Sequence, residues 1–375
     1  MVKIGILSMQ RIANYGSFLQ AYGLKSIFEE LGCKVQFVDY HPGKTLISPD
    51  GRDGLRRKIS KSIEVLKCYA PLKEKIKFIV YKKNYAINYY PYLEIDSKMV
   101  YAPEVDVQVI GSDEVFNCVQ NNVNVGFSPE LFGRGNNAKR LISFAASFGN
   151  TTEEKLREYG IISKVGKWIK MFDAISVRDV NSVKIIKRIA NVIPEYHLDP
   201  VLIYDFLSKC EHIPITIPDS GYLILYGYSG RFSKKECETI KKYAKKSGLK
   251  IICIGGIQDV CDKFAMLNPF EAIAYFKNAE CVVTDTFHGT IFSVITHKPF
   301  ISVIRKDGYG NSEKLTDLLN RLKLKDRIIE NIDAMEELLL KKIDYKLTDK
   351  IINEERKRAY AYLEKQIKLV NIGNN

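Results

Sequence analysis

The chain lacks the long apolar stretches that mark membrane-spanning proteins. None of its hydrophobic runs approaches the roughly 18 residues that a spanning helix needs, although 46% of the 375 residues are hydrophobic. The apolar start Met1–Ser8 is too short for a signal peptide and is typical of a first buried strand. We therefore expect a protein that stays in the cytoplasm and has no transmembrane segment.

Cysteine and histidine are too scattered to indicate a disulfide framework or a metal site. The eight cysteines and five histidines include no Cys-x-x-Cys pair and no metal-ligand spacing. Cys253 and Cys281 lie inside apolar, strand-like runs, where a free cysteine behaves as a small buried hydrophobe. We expect reduced cysteines and no bound metal.

Acidic residues are scarce in one segment of a chain whose formal net charge is +13. Between Gly51 and Lys83 there are eleven Lys or Arg residues against three acids, with apolar residues among them at helical spacing. This pattern predicts a basic amphipathic helix or helix pair. It is equally typical of a solvated helical face and of a surface attracted to an anionic membrane or a phosphate-bearing acceptor. No nucleic-acid-binding motif accompanies the charge, so we expect no nucleic-acid partner.

What is present is an alternation of strand-like and helix-like segments. An opening strand–helix–strand unit predicts a parallel sheet with a right-handed crossover, and four prolines between Pro194 and Pro218 mark a linker to a second series. We predict an α/β fold of two doubly wound, Rossmann-like domains that face each other across a cleft, with a long C-terminal helix. The predicted units are residues 1–200 with a basic helical insertion at about 45–95, residues 219–345, and a helix at 346–375 that packs back on the N-terminal domain.

The predicted strands are Ile4–Ser8, Lys34–Asp39, Val105–Gly111, Arg140–Phe144, Ala174–Val177, Tyr222–Tyr226, Lys250–Ile254, Cys281–Thr284 and Pro299–Val303. The predicted helices outside the basic segment are Ser17–Leu31, Thr152–Met171, Ser233–Ser247, Pro269–Asn278, His288–Thr296 and Thr348–Leu369. In such doubly wound units, ligands bind beyond the carboxyl ends of the strands.

The strongest local signal for chemistry is the segment Cys281–Ile295. An apolar strand ends at Asp285 and an apolar helix begins near Thr286, whose first N–H groups can bind an anion. His288 lies at this turn and can donate to a phosphate or carboxylate and transfer a proton near neutral pH. Gly289 is expected to let a ligand approach the backbone. A histidine at a helix start also serves as a structural cap, so these residues alone leave both roles open.

Three other strand ends carry candidate residues. Arg178 could grip a carboxylate or phosphate with two parallel hydrogen bonds, or pair with Asp179 or another nearby carboxylate. Asp113 and Glu114 follow a glycine turn and could accept a proton from a sugar hydroxyl or cap a helix. The first loop, Asn14–Ala21, lacks the Gly-x-Gly-x-x-Gly fingerprint, which disfavours a Rossmann dehydrogenase.

Taken in order, these segments resemble the polysaccharide pyruvyl transferase family over residues 1 to about 330. The matching segments are Asn14–Ser17, Gln20–Tyr22, Gly111–Asp113, Ser143–Gly149, Ser176–Arg178, Leu198–Pro200, Thr284–Gly289 and Lys298–Phe300. The chain departs from the family where Glu114–Phe116 replaces the usual Gln-Ile-Trp run. The resemblance covers the basic segment 45–95 and the C-terminal helix poorly.

The resemblance implies a GT-B-like fold, phosphoenolpyruvate as donor, and a sugar of a cell-surface polysaccharide or its lipid-linked precursor as acceptor. It implies donor contacts from Arg178, His288 and a downstream lysine, carried over here as Lys306. Phosphoenolpyruvate needs cations or N–H groups at both its phosphate and its carboxylate, and no cofactor. We expect His288 to act as the acid or to hold the leaving phosphate, and Asp113 to act as the base. The other predicted substrate-binding residues are Gly289, Thr290, Asn14, Gly16, Ser17 and Ser112.

Two alternatives stay open. A nucleotide-sugar glycosyltransferase of the same fold would bind a nucleoside diphosphate in the second domain, where Ile254–Gly256 could contribute. A non-catalytic adaptor for glycan assembly or the membrane surface would keep the fold without turnover, and the departure at Glu114–Phe116 is its support.

Overall fold

The computed structural model describes residues 1–47, 65, 67–305 and 312–372, and its first half is built on a parallel sheet. The strands of this half are β1 (Lys3–Leu7), β2 (Lys34–Phe37), β3 (Val107–Ile110), β4 (Arg140–Ser143), β5 (Ser176–Val177) and β6 (Glu195–Tyr196). The first four lie in the order β2-β1-β3-β4, and the β5–β6 pair adjoins β4 through isolated bridges. Strands β1 and β3 are buried almost throughout, as expected where helices cover both faces of a parallel sheet.

Helices cover this first sheet on both faces. They are α1 (Tyr15–Glu30), α2 (Leu72–Tyr89), α3 (Glu153–Glu158), α4 (Ile162–Ile169), α5 (Val180–Ala190), α6 (Pro200–Ile203) and α7 (Phe206–Lys209). The single helix predicted over Thr152–Met171 is wrong, because the chain divides it into α3 and α4. Gly160 lies between them at φ +64°, a left-handed conformation that ends a helix.

The second half repeats the plan with strands that are again all parallel. Its elements are β7 (Tyr222–Tyr226), α8 (Lys234–Lys246), β8 (Lys250–Ile254), β9 (Lys263–Phe264), α9 (Pro269–Asn278), β10 (Cys281–Thr284), α10 (Phe287–Ile295), β11 (Phe300–Val303), α11 (Ser312–Arg321), β12 (Ile328–Ile329), α12 (Met335–Leu340) and α13 (Lys346–Ile372). The strand order is β12-β11-β10-β7-β8-β9. The predicted fold class, two Rossmann-like units with a long C-terminal helix, is confirmed.

The long helix α13 ties the two halves together. Near its start, Asp349 lies 2.8 Å from Nε2 of His297 in the second half. Further along the helix, the hydroxyl of Tyr362 donates to the carbonyl of Ser143, on the first sheet, at 2.9 Å. Within the described ranges, none of the helices is both long and apolar enough to cross a membrane.

Helix α2 belongs to the described part of the predicted basic segment, and it lies between the two halves. Its buried face is aromatic and includes Tyr81 and Tyr85. The Tyr85 hydroxyl donates to the carbonyl of Asn14 at 2.9 Å, and Glu74 accepts from the N–H of Phe264 in the second half at 2.8 Å. Residues 48–64 and 66, which carry much of the predicted basic pattern, lie outside the described residues.

All eight cysteines belong to the described residues, and each is buried and free of a disulfide. Cys253 and Cys281 lie in strands β8 and β10, as the apolar runs around them indicated. Among the residues that the structure describes, no three His, Cys, Asp or Glu side chains are grouped so that they could hold a metal ion.

Candidate active site

A cleft of about 180 Å³ lies where the carboxyl ends of the two sheets meet. The loops that follow β1, β3, β5, β7 and β10 all reach it, which is the usual ligand position in open parallel sheets. Its charged and aromatic lining residues are Tyr15, Tyr81, Lys82, Asp113, Glu114, Arg178, Tyr226, Tyr228, Arg231, Asp285, Phe287, His288 and Lys314. Four cations thus face three carboxylates, with one histidine among them.

The turn between β1 and α1 forms one wall of the cleft. Asn14 caps α1, because its side-chain oxygen accepts from the N–H of Ser17 at 2.7 Å. The Ser17 hydroxyl donates to Oδ2 of Asp113 at 2.7 Å. Asn14 and Ser17 therefore line the cleft while holding the carboxylate of Asp113, and both residues were predicted to bind substrate.

Arg178 is held between two carboxylates at the centre of the first half. Its guanidinium donates to Oδ1 of Asp113 at 3.0 Å and to Oδ2 of Asp199 at 2.6 Å, and it stacks 4.6 Å from the ring centre of Phe287. Asp179, the ion-pair partner considered from sequence, instead caps α5. Burial would lower the pKa of Arg178, but the carboxylates around it hold that pKa above its ordinary value. The guanidinium is thus fixed in position by charge-assisted hydrogen bonds.

Asp199 received no role from the sequence, although it belongs to the matching segment Leu198–Pro200. Its carboxylate is fully buried; Oδ1 accepts from the N–H of Val201 at 3.0 Å, and Oδ2 lies 3.7 Å from Nε2 of His288. Burial would raise the pKa of Asp199, but the imidazole of His288 and the guanidinium of Arg178 hold it at about 2. A carboxylate just before a proline reads as an ordinary helix cap, and only the fold brings it to the histidine.

His288 lies at the start of α10, across from the first turn of α1. Thr286 caps the helix by accepting from the N–H of Gly289 at 2.9 Å. The imidazole is mostly buried, with 13% of the side chain exposed, and it occupies the space that a side chain at Gly16 would fill. The absence of a side chain at Gly16 therefore leaves room for the His288 imidazole. The turns that begin α1 and α10 thus meet in one cleft.

Three predicted substrate-binding residues lie behind the cleft rather than in it. A Cβ at Gly289 would meet Tyr226 at 2.6 Å and overlap the hydroxyl of Thr284, so packing within its own half requires a glycine here. Thr290 is fully buried and shares a 2.6 Å hydrogen bond with Ser302. Ser112 is also fully buried, and its hydroxyl donates to the carbonyl of Ala145 at 3.0 Å. The approach of a ligand at Gly289 stays a prediction, and contact with substrate at Thr290 or Ser112 would require these buried hydroxyls to exchange their partners.

Lys314 brings a cation from α11 into the cleft. Its ammonium group pairs with Glu114 of the first half, whose other oxygen accepts from Asn117 at 2.8 Å. Burial would raise the pKa of Glu114, but the charge of Lys314 lowers it to about 2. Lys306, the cation carried over from the family, lies outside the described residues. Lys314 was missed because its partner is 200 positions away along the chain.

The second half contributes a buried carboxylate to the cleft, that of Asp285, which directly follows β10. Nε of Arg305 lies 3.1 Å and Nε of Arg231 lies 2.8 Å from Oδ2 of this residue. Burial raises the pKa of Asp285, and the two arginines oppose that rise. Arg231 lines the cleft, so the second half contributes a cation that is positioned by its own carboxylate.

The structure also explains the two segments on which the alternative functions depended, Ile254–Gly256 for the glycosyltransferase and Glu114–Phe116 for the adaptor. A Cβ at Gly256 would meet the backbone of Tyr228 at 2.6 Å, so this glycine serves close packing of two loops. Val115 and Phe116, where the chain departs from the family pattern, are fully buried in the core. The departure is thus accommodated by packing and by the Glu114–Lys314 pair.

Comparisons with known proteins agree with this architecture. A family profile described as polysaccharide pyruvyl transferase matches residues 14–307. No curated protein matches the chain significantly. Among solved structures, MnaA from S. aureus, in a co-structure with UDP, is 10% identical, with 98% of each chain covered and a TM-score of 0.51. A UDP-GlcNAc 2-epimerase from Neisseria meningitidis, bound to UDP-GlcNAc, is 11% identical, with 100% of each chain covered and a TM-score of 0.49. The likeness to MnaA shows the GT-B-like fold.

Proposed function

The chain belongs to the polysaccharide pyruvyl transferase family, and from that premise we propose that it transfers the pyruvyl group of phosphoenolpyruvate to a sugar. The acceptor would be a cell-surface polysaccharide or its lipid-linked precursor. One observation carries the proposal: both halves of the molecule contribute cations to a single cleft, with Arg178 on one side and Lys314 and Arg231 on the other. A donor with a phosphate at one end and a carboxylate at the other needs such a two-sided set.

The proposed reaction closes without a cofactor. The methylene carbon of phosphoenolpyruvate gains a proton, the adjacent carbon loses its bond to the phosphate oxygen, and two oxygens of one sugar bond to that carbon. The two hydroxyls release two protons: one balances the proton taken up by the methyl group, and the other leaves with the phosphate. The protein must therefore supply an acid, a base and a site for the leaving phosphate.

His288 and Asp113 are proposed to supply the acid and the base. The two residues lie on opposite halves of the cleft and are linked through Arg178 and Asp199. His288 would protonate the methylene carbon or hold the leaving phosphate, and Asp113 would accept a proton from a sugar hydroxyl. Asp113 adopts φ +74°, which Asp tolerates better than most residues and which turns it into the cleft.

The remaining contacts follow from what lines the cleft. Arg178 and Lys314 would bind the anionic ends of the donor, and Lys306 stays a proposed third contact. Asn14 and Ser17 would hydrogen-bond to substrate from the first turn. Gly16, Ser112, Gly289 and Thr290 would support these groups from behind.

Isotope-labelled phosphoenolpyruvate tests the function directly. The protein would be incubated with the ¹³C-labelled donor and a panel of lipid-linked glycans, and phosphate release and label on the glycan would be followed by NMR. We expect stoichiometric phosphate release with the label on the glycan. Transfer only from a nucleotide sugar, or no turnover with any donor, would contradict the proposal.

We also propose that α2 rests on the anionic cytoplasmic face of a membrane, where a lipid-linked acceptor would be available. One face of α2 exposes aliphatic side chains to solvent, with Leu72 68% and Ile87 77% exposed. These side chains recur at helical spacing: Leu72, Ile76, Ile79, Val80 and Ile87. Exposed Lys73 and Lys83 accompany them, and eleven basic residues occur between 51 and 83. An exposed apolar face accompanied by lysines is typical of an interfacial helix.

Liposome flotation tests the membrane contact. The protein should float with vesicles that contain anionic lipid and not with neutral ones, because the lysines contribute much of the attraction. Replacing Ile76 and Ile87 by Ser should abolish flotation. Ile215→Ser is the matched control, because Ile215 is 97% exposed on another part of the surface. Binding that is indifferent to lipid charge, or to the Ile76 and Ile87 changes, would contradict the contact.

A further inference from the structure

A second cavity, of about 470 Å³, lies beside the cleft and shares Lys314 with it. It is formed by the loop after β4, the start of α5 and the start of α11. The cleft is lined by four cations and three carboxylates. This cavity is lined by three carboxylates, Asp179, Glu313 and Asp317, and only two lysines. An anionic donor is therefore better placed in the cleft, and the second cavity favours a neutral or cationic ligand.

Two buried oxygens that belong to residues lining this cavity accept no hydrogen bond within the described part of the chain. They are Oδ2 of Asp179 and Oδ1 of Asn150. Asp179 is 3% exposed, and its other oxygen is fully used, accepting from the N–H and the hydroxyl of Ser182 at 2.8 Å each. Buried acceptors in folded proteins are nearly always paired, so two unpaired ones in the same cavity point to a ligand that donates hydrogen bonds.

We propose that this cavity is the acceptor subsite, and that it holds a saccharide whose hydroxyls donate to Asp179 and Asn150. The inference rests on the proposed function for its sugar ligand. A hydroxyl suits these oxygens because it donates one hydrogen bond and carries no charge. Lys314, which lines both cavities, would lie between the donor and the acceptor. The sugar would then present its reacting hydroxyls toward Asp113 and Glu114 in the cleft.

The test converts the unpaired acceptor into a donor while keeping the helix cap. Asp179→Asn retains one oxygen for Ser182, since Asn caps helices as well as Asp does, but turns an amide N–H₂ toward the cavity. Asp179→Ser keeps a cap and deletes the second oxygen. Asp205→Asn makes the same substitution just before α7, away from both cavities, where the carboxylate makes no cap hydrogen bond and pairs with Arg356, and it serves as the control.

Binding would be followed by saturation-transfer NMR with methyl glycosides of glucose, galactose and mannose, and separately with phosphoenolpyruvate. We expect both Asp179 variants to bind the glycosides at least about tenfold more weakly, the effect of losing a hydrogen bond to a charged group. Phosphoenolpyruvate binding and the midpoint of thermal unfolding should match those of Asp205→Asn.

The outcomes separate the subsite from the function. No saturation transfer to any glycoside, or transfer that the Asp179 variants leave unchanged, would overturn the subsite even if pyruvyl transfer were observed. Glycoside binding that depends on Asp179, in a protein that releases no phosphate from phosphoenolpyruvate, would support the subsite and contradict the reaction. If both variants lose part of their folded population, and their glycoside affinity, corrected for the folded fraction, equals that of the wild type, the subsite would also be overturned.

Discussion

Two strand-to-helix turns meet across the cleft, and they are built alike but filled differently. Each begins with a capping side chain, because Asn14 accepts from the N–H of Ser17 and Thr286 accepts from the N–H of Gly289. The second residue after the cap is Gly16 in the first turn and His288 in the other. The imidazole lies in the space that the glycine leaves open.

This difference separates two uses of glycine at a helix start. Gly16 leaves room for a side chain from the opposite half of the molecule, whereas Gly289 leaves room for Thr284 and Tyr226 of its own half. An alanine at the first position should disturb the site, and an alanine at the second should disturb the fold. Gly16→Ala and Gly289→Ala test that distinction.

The largest effect on turnover is expected when the imidazole is removed from the second turn. His288→Ala removes the proposed acid, and loss of a positioned acid typically costs about 10²–10⁴-fold in rate. Phosphate release from labelled phosphoenolpyruvate would measure this loss, and circular dichroism would check that the protein is folded. Wild-type turnover in a folded His288→Ala protein would remove the histidine from the mechanism.

The next effect comes from filling the first turn. A Cβ added by Gly16→Ala would overlap the imidazole of His288, and a displacement of about 1 Å in a reacting group can cost about 10²-fold in turnover. Because the glycine acts through the histidine, adding Gly16→Ala to His288→Ala should cause no further loss. Independent, multiplying losses in the double variant would show that Gly16 has a separate role.

Local sequence signals predicted most of the fold because they reflect local causes. Apolar runs gave the limits of the strands Tyr222–Tyr226, Lys250–Ile254 and Cys281–Thr284 as the structure has them. The helix over 152–171 was wrong because one glycine, Gly160, interrupts an otherwise continuous apolar pattern. The two-residue strands β9 and β12 were not predicted, since so short a run has no periodicity.

The site was predicted as far as strand ends could indicate it. Asp113, Arg178 and His288 each follow a buried strand, and the carboxyl ends of parallel strands converge. Asp199 and Lys314 were not predicted as site residues, because their roles depend on partners from distant segments. The backbone position of Gly289 suggested a ligand contact, and the packing requirement at this glycine became visible only in the fold.

Gly289→Ala sharpens the contrast from the other side, with a smaller effect expected. Overpacking against Thr284 and Tyr226 should lower the free energy of unfolding by about 1–3 kcal/mol. Denaturant unfolding would measure this loss, and the folded fraction should keep most of its turnover. A variant as stable as the wild type but inactive would return Gly289 to the list of ligand contacts.

The smallest effect on stability at neutral pH is expected at the Glu114–Lys314 pair. This pair joins the two halves by charge, whereas the two turns pack against each other. Glu114→Gln should lower the free energy of unfolding by only about 1 kcal/mol at pH 7, because part of the pair is open to solvent.

The pH dependence of stability tests the Glu114–Lys314 pair more directly. The pKa of Glu114 is about 2 in the folded protein, below its ordinary value of 4.5. The ionised pair therefore stabilises the fold above the unfolded pKa and ceases to do so as the pH falls through the folded one. Between about pH 5 and 2, the stability of the wild type should fall more steeply than that of Glu114→Gln. Asp199, whose pKa is also about 2, remains in both proteins, so the difference in slope isolates Glu114. Equal slopes in denaturant unfolding across this range would mean that Lys314 does not hold Glu114 in solution, and that this pair does not join the two halves by charge.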